Sequence, residues 1–190
     1  METPLTAFTV STVLVAVAEI GDKTQLLSFA LAAHYRKPGI IILGILVATL
    51  ANHALAGWLG VLLAQWLPPR TTALLVGAGF IAFGVWALFP DRLDGAPKTH
   101  GGIFMTTLIV FFIAEMGDKT HLATIALGAR FAMPLAVIGG TTLGMMIANV
   151  PAVLIGHRLA GKLPLRAMRM IAALLFFVTG AVTLWLAPPA

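Results

Sequence analysis

The chain has 190 residues, 59% of them hydrophobic and 10% charged, with a formal net charge of +5. Mean hydropathy is +0.99 and the isoelectric point is near 10.3. Soluble domains carry about 25% charged and about 45–50% apolar residues, so a water-facing globule is excluded; the basic residues fall in short loops between apolar runs, not on a nucleic-acid-binding face.

A membrane-crossing helix needs roughly 20 mostly apolar residues. On that criterion six spans are expected, at about 7–32, 39–65, 71–89, 102–129, 134–160 and 167–187. Met1-Glu2-Thr3-Pro4 places no basic stretch ahead of the first run, which is therefore expected to be retained and not cleaved. Most connections are short, as at His34 to Pro38 and at Pro68-Pro69-Arg70. The stretch from Pro90 to His100, with Asp91, Arg92, Asp94, Gly95, Pro97 and Lys98, is the one real linker. It separates an N-terminal unit, 1–90, from a C-terminal unit, 102–190, with 91–101 between them.

The first span contains Ala18-Glu19-Ile20-Gly21-Asp22-Lys23-Thr24-Gln25-Leu26, and the fourth contains Ala114-Glu115-Met116-Gly117-Asp118-Lys119-Thr120-His121-Leu122. The same offset carries Ser28 onto Thr124, Pro38 onto Pro134, Arg70 onto Arg166 and Gly84 onto Gly180, and Asn52 matches Asn149 one residue further on. We read a duplicated three-helix unit. Three crossings are odd, so the second unit enters the membrane in the opposite sense. The expected fold is all-α, six transmembrane helices arranged as two inverted repeats, an architecture that places transporter substrates near the midplane at the repeat interface.

Loop charge sets the orientation. Arg36, Lys37, Arg92, Lys98, Arg158, Lys162, Arg166 and Arg169 fall on one side, against Arg70 and Arg130 on the other. The positive-inside rule then puts the central linker in the cytoplasm and both termini outside.

Glu19, Asp22, Glu115 and Asp118 are four of the seven acidic residues, and all four fall inside expected spans. Ionisable groups within a bilayer are costly, which makes them candidate functional residues. Spacing of three residues puts the two carboxylates of each motif on one helical face. Gly21 and Gly117 remove side-chain bulk and allow the backbone to leave helical geometry; Thr24 and Thr120 add hydroxyl oxygens. With the amides of Asn52 and Asn149 and nearby carbonyls, this is a hard oxygen donor set suited to Mn2+, Ca2+ or Mg2+. Cysteine is absent, which excludes thiolate ligands.

If all are ionised, the four carboxylates outweigh Lys23 and Lys119 by two negative charges, so one divalent cation or two protons would neutralise the site. Two species competing for the same buried charge is the requirement for cation/proton exchange. Other roles fit these residues too. Asp22 and Asp118 suit N-caps of a half-helix resuming after the glycine. Lys23 and Lys119 suit structural ion pairs, and Asn52 and Asn149 suit interhelical hydrogen bonding. Ser28 and Thr124 read as packing or back-bonding residues. Gln25 and His121 occupy equivalent positions but differ; neither His121 nor His53 is assigned to the site.

The duplicated E-x-G-D-[KR]-[ST] motif, one copy per three-helix half, resembles that of the Golgi manganese/calcium transporters and their bacterial manganese-exporting relatives. The resemblance covers nearly the whole chain. It implies export of Mn2+ or Ca2+ from the cytosol in exchange for protons, with Glu19, Gly21, Asp22, Lys23 and Thr24, and Glu115, Gly117, Asp118, Lys119 and Thr120, as the motif positions. It also implies a compact bacterial form in the inner membrane, with the lipid bilayer and the cation as partners and no permanently bound cofactor; monomer and homodimer are both open. A rival reading is export of a small cationic or zwitterionic organic solute, such as an amino acid. An enzyme is not expected: the glycine-aspartate element of intramembrane aspartyl proteases lacks its paired aspartate motif here, and neither H-E-x-x-H nor G-x-S-x-G occurs. A non-transporting scaffold would have no use for buried acids.

Overall fold

The computed structural model describes residues 2–89, 101–159 and 165–189. Among them the regular elements are all helices: α1 (Pro4–Glu19), α2 (Lys23–Tyr35), α3 (Pro38–Trp66), α4 (Pro69–Ala87), α5 (Ile103–Glu115), α6 (Lys119–Phe131), α7 (Pro134–Leu159) and α8 (Leu165–Trp185). Nearly all of the linker expected at 91–101, with Arg92 and Lys98, lies outside the described residues, as does Lys162.

Local chemistry sets the helix ends. Thr3 caps α1, its Oγ1 accepting the Thr6 amide at 3.2 Å. Pro4, Pro38, Pro69 and Pro134 open α1, α3, α4 and α7, where a missing N–H costs nothing because it would have no helical partner. α2 and α6 stop at left-handed residues, Arg36 (φ 53°) and Ala132 (φ 51°). Each lies two residues ahead of a proline, which disfavours helix in the residue between.

α3, α4 and Pro134–Ile155 of α7 are each long and apolar enough to cross a membrane, with mean hydropathies of 2.0, 1.4 and 1.6. At 29 residues α3 would reach about 43 Å at about 1.5 Å per residue, well beyond a hydrocarbon core of about 30 Å. α1 and α2 together qualify as one span bent by 66°. The described residues therefore contain three helices of spanning length and composition, or four with the bent pair; α5 and Arg169–Trp185 of α8 are apolar but shorter. The spans expected over 7–32 and 102–129 are each divided in two, between Glu19 and Lys23 and between Glu115 and Lys119, where the motif glycines allowed a departure from helical geometry.

Polarity is inside-out. Leu50, Leu55, Trp58 and Leu62 of α3 are exposed, while Ser11, Glu19, Thr24, Asn52, Glu115 and Asn149 are fully buried. A surface of that kind suits lipid. α1 packs along α7, α3 along α5 and α6, and α4 along α8. Each pairing joins one half of the chain to the other, and exchanging the halves maps α1 with α7 onto α5 with α3. Close approaches run through small residues: a Cβ on Gly128 would meet the Gly57 carbonyl oxygen at 2.5 Å, one on Gly144 the Thr12 oxygen at 2.6 Å, and one on Gly180 the Gly77 oxygen at 2.8 Å. Both buried apolar clusters draw on both halves.

Candidate cation site at the paired helix breaks

The E-x-G-D segment is a type II β-turn in both copies. The Glu19 carbonyl accepts the Asp22 N–H at 3.1 Å, with Ile20 at φ −68°, ψ 114° and Gly21 at φ 83°. The Glu115 carbonyl accepts the Asp118 N–H at 3.0 Å, with Met116 at φ −61°, ψ 119° and Gly117 at φ 79°. The third position of this turn requires positive φ, which is why glycine stands there. The turn ends one helix on the glutamate and starts the next after the aspartate, so every polar residue of the motif sits at a helix end inside the apolar body of the protein.

Asp22 and Asp118 occupy the N-cap positions of α2 and α6, yet neither side chain makes the capping hydrogen bond. They reach across the molecule instead. Lys119 Nζ lies 2.6 Å from Asp22 Oδ1, and Lys23 Nζ lies 3.4 Å from Asp118 Oδ2. Each motif thus supplies the lysine for the other's aspartate. A lysine in the first turn of a helix opposes the helix dipole, so its position is accounted for by the aspartate it meets and not by helix stability. The pairs differ in exposure: the Lys119 side chain is 6% exposed and the Lys23 side chain 29%.

Glu19 and Glu115 are fully buried. Thr24 Oγ1 donates to Glu19 Oε2, and Thr120 Oγ1 donates to Glu115 Oε1. Glu19 Oε1 and Glu115 Oε2 have no hydrogen-bond partner among the described residues. The two glutamates are within electrostatic range of each other, and Thr120 lies within reach of Glu19 as well. Glu19, Asp22, Thr24, Glu115, Asp118 and Thr120 therefore meet in one region, bringing both motifs together. They do not form a finished coordination shell: among the described residues no three His, Asp or Glu side chains are grouped to hold a metal ion.

The asparagines, equivalent in sequence, have different partners. Asn52 Nδ2 donates to the Phe112 carbonyl at 3.0 Å, and its Oδ1 has no partner among the described residues. Asn149 Oδ1 accepts from Ser28 Oγ at 2.7 Å, and its Nδ2 donates to the Met145 carbonyl at 3.1 Å. Thr124 back-bonds to the Thr120 carbonyl as expected; Ser28 does not back-bond but bridges the two halves. Gln25, not assigned to the site from sequence, is a further contact. The signal was its place four residues after the motif glycine. A cavity of about 480 Å³ lies elsewhere, lined by Glu2, Thr72, Arg130 and Thr183 but by no motif residue; there Arg130 pairs with Glu2 at 2.9 Å and donates to Thr183.

Buried charges at paired helix breaks, inside a helical body with an apolar surface, are the arrangement by which membrane transporters hold a polar substrate. A model of the family described as "Divalent cation/proton antiporter GDT1" matches residues 7–95 and 103–189, one segment in each half. The chain belongs to that family. It is 50% identical over 181 residues to a Vibrio cholerae protein named "Putative manganese exporter", covering 94% of this chain and 90% of that one. It is 31% identical over 207 residues to "GDT1-like protein sll0615" of Synechocystis, covering 95% and 98%. It is 26% identical over 216 residues to "GDT1-like protein 5" of Arabidopsis thaliana, covering 93% and 94%. No solved structure matches.

Proposed function

We propose that this chain exports Mn2+, Ca2+ or both from the cytosol in exchange for protons, by alternating access around the acidic site of its two motifs. In this reading 1–90 and 102–190 are inverted three-helix repeats giving six spans, the linker at 91–101 is cytoplasmic and both termini are outside. The cation ligands are Glu19, Asp22, Thr24, Glu115, Asp118 and Thr120. Gly21 and Gly117 shape the turns, Lys23 and Lys119 neutralise the aspartates, and Asn52 and Asn149 support the breaks. The name of the Vibrio relative favours Mn2+.

The observation that carries this reading is the reciprocal pairing of Lys119 with Asp22 and of Lys23 with Asp118. With the aspartates held by lysines, the charge that remains belongs to Glu19 and Glu115. Two protons on these glutamates make the site neutral. One divalent cation taking the glutamates and displacing the ammonium groups leaves the same net charge, with two protons released. An empty, deprotonated site would carry two buried negative charges, and moving those through the membrane core is costly. The transition is therefore open to the site loaded with protons or with cation, and closed to the empty site, which is the condition for exchange.

The test is uptake of radiolabelled Mn2+ into proteoliposomes with an acidic lumen. Accumulation that collapses when a protonophore with a K+/H+ exchanger removes the gradient supports exchange. Equal uptake with and without the gradient contradicts it. Gradient-driven uptake of radiolabelled lysine, with none of Mn2+ or Ca2+, would favour the organic-solute reading.

A further inference from the structure

The two motif copies share one backbone turn but are not anchored alike. Gln25 Oε1 accepts the Gly21 N–H at 2.8 Å, and its Nε2 donates to the Ala148 carbonyl on α7 at 3.0 Å. One residue on, Asn149 takes the Ser28 hydroxyl at 2.7 Å. The first break is thus tied at two points to the helix of the opposite half that packs along α1, whereas the second has a single such tie among the described residues, from Asn52 to the Phe112 carbonyl ahead of it. His121, the positional equivalent of Gln25, reaches the Gly117 N–H through Nδ1 at 3.4 Å. The His121 ring also hydrogen-bonds the Glu115 backbone, so its contacts stay within its own motif, whereas the Gln25 carboxamide accepts from its own turn and donates to the opposite half. At the turn itself exposure follows the same division: Gly21 and Ala148 are buried, whereas Gly117 and Ala51, the residue preceding Asn52 as Ala148 precedes Asn149, are exposed; the lysines run the other way, Lys23 being the more exposed.

We infer that Gln25 is a positioning residue for cation transport, holding the first motif rigidly on α7 while the second motif is the looser, adapting half of the site. The inference rests on the cation-transport reading above. Gln25 touches no cation in this account. It fixes the turn between Glu19 and Asp22, and hence where the oxygens of Glu19, Asp22 and Thr24 stand when the cation arrives. Equivalence of sequence between the motifs thus does not extend to equivalence of mechanics.

Exchanging the two side chains tests this. Gln25→His keeps an acceptor for Gly21 and removes the carboxamide donor to Ala148; His121→Gln keeps an acceptor for Gly117 and alters only a contact within its own motif, to the Glu115 backbone. In Mn2+ transport by proteoliposomes, Gln25→His should raise KM about fivefold, the worth of one hydrogen bond, and His121→Gln should change it less than twofold. A purely structural role would lower Vmax with the amount of folded protein and leave KM alone. An unchanged KM in Gln25→His, or equal rises in both variants, overturns the inference. Hydrogen exchange of the unsubstituted protein gives a second reading that needs neither variant nor transport: amides of 19–26 should exchange about tenfold or more slowly than those of 115–122. Equal or reversed protection overturns it. If the unsubstituted protein carries no cation, the transport reading fails by itself while the exchange measurement still decides on the tether.

Discussion

Replacing Lys119 with methionine separates the structural role of the buried pair from its role in cation binding. The Asp22 and Lys119 side chains are 2% and 6% exposed and 2.6 Å apart. Removing one partner of such a pair leaves an uncompensated buried charge, at a cost of roughly 3–5 kcal/mol. For a chain of this size about 1 kcal/mol corresponds to about 3 °C in melting temperature, so Lys119→Met should lower it by about 10 °C or more. Lys23→Met should cost far less, about 1 kcal/mol or about 3 °C, because its pair is longer and the lysine is 29% exposed. Unfolding is followed in mild detergent by the fluorescence of the four tryptophans. A cation that ligates Asp22 replaces the missing charge. Mn2+ at about 100 times its Kd adds about 2.7 kcal/mol, roughly 8 °C, to Lys119→Met. It should add less to the unsubstituted protein, where it must first displace the lysine. If Lys119→Met melts where the unsubstituted protein does, the buried pair contributes nothing. If Mn2+ stabilises both equally, lysine and cation do not compete for Asp22.

Three further outcomes are expected. Gly117→Ala puts a Cβ into open space but forces alanine to φ 79°, so it should cost about 1–2 kcal/mol from backbone strain alone, read as a drop of a few degrees in melting temperature. Gly128→Ala places its Cβ 2.5 Å from the Gly57 carbonyl oxygen; separating α3 from α6 should cost roughly 1–3 kcal/mol and reduce the yield of monodisperse protein in detergent. Glu115→Gln keeps an acceptor for the Thr120 hydroxyl and carries no charge, so it should melt within about 2 °C of the unsubstituted protein while losing Mn2+ transport.

The motif was legible because its chemistry does not belong in an apolar run: two carboxylates, a lysine and a glycine repeated at one offset. The break it makes was visible only as an option. Hydropathy along residues 7–32 does not register a two-residue turn, and Gly21 reads equally well as a packing residue until its φ is known. The pairing of Lys119 with Asp22 across the halves was hidden by the nearer candidate in sequence, Lys23 beside Asp22. Side chains one residue apart at a helix start point away from each other, so the partner had to come from the other copy. Gln25 escaped because one of its partners is the backbone carbonyl of Ala148, which leaves no mark in the residue pattern. The asparagines show the converse limit: identical residues at matched positions have different partners, because Ser28 reaches Asn149 and its counterpart Thr124 bonds its own helix.

The most direct test of the central claim is proton release on cation addition. Purified protein is reconstituted into liposomes enclosing a pH-sensitive dye, and Mn2+, Ca2+ and Mg2+ are added in turn to the unsubstituted protein and to Glu19→Gln. The account predicts that Mn2+, Ca2+ or both drive protons out of the lumen through the unsubstituted protein, at close to two per cation, and through Glu19→Gln not at all. Cation entry without proton movement, or equal proton release by Glu19→Gln, would contradict it.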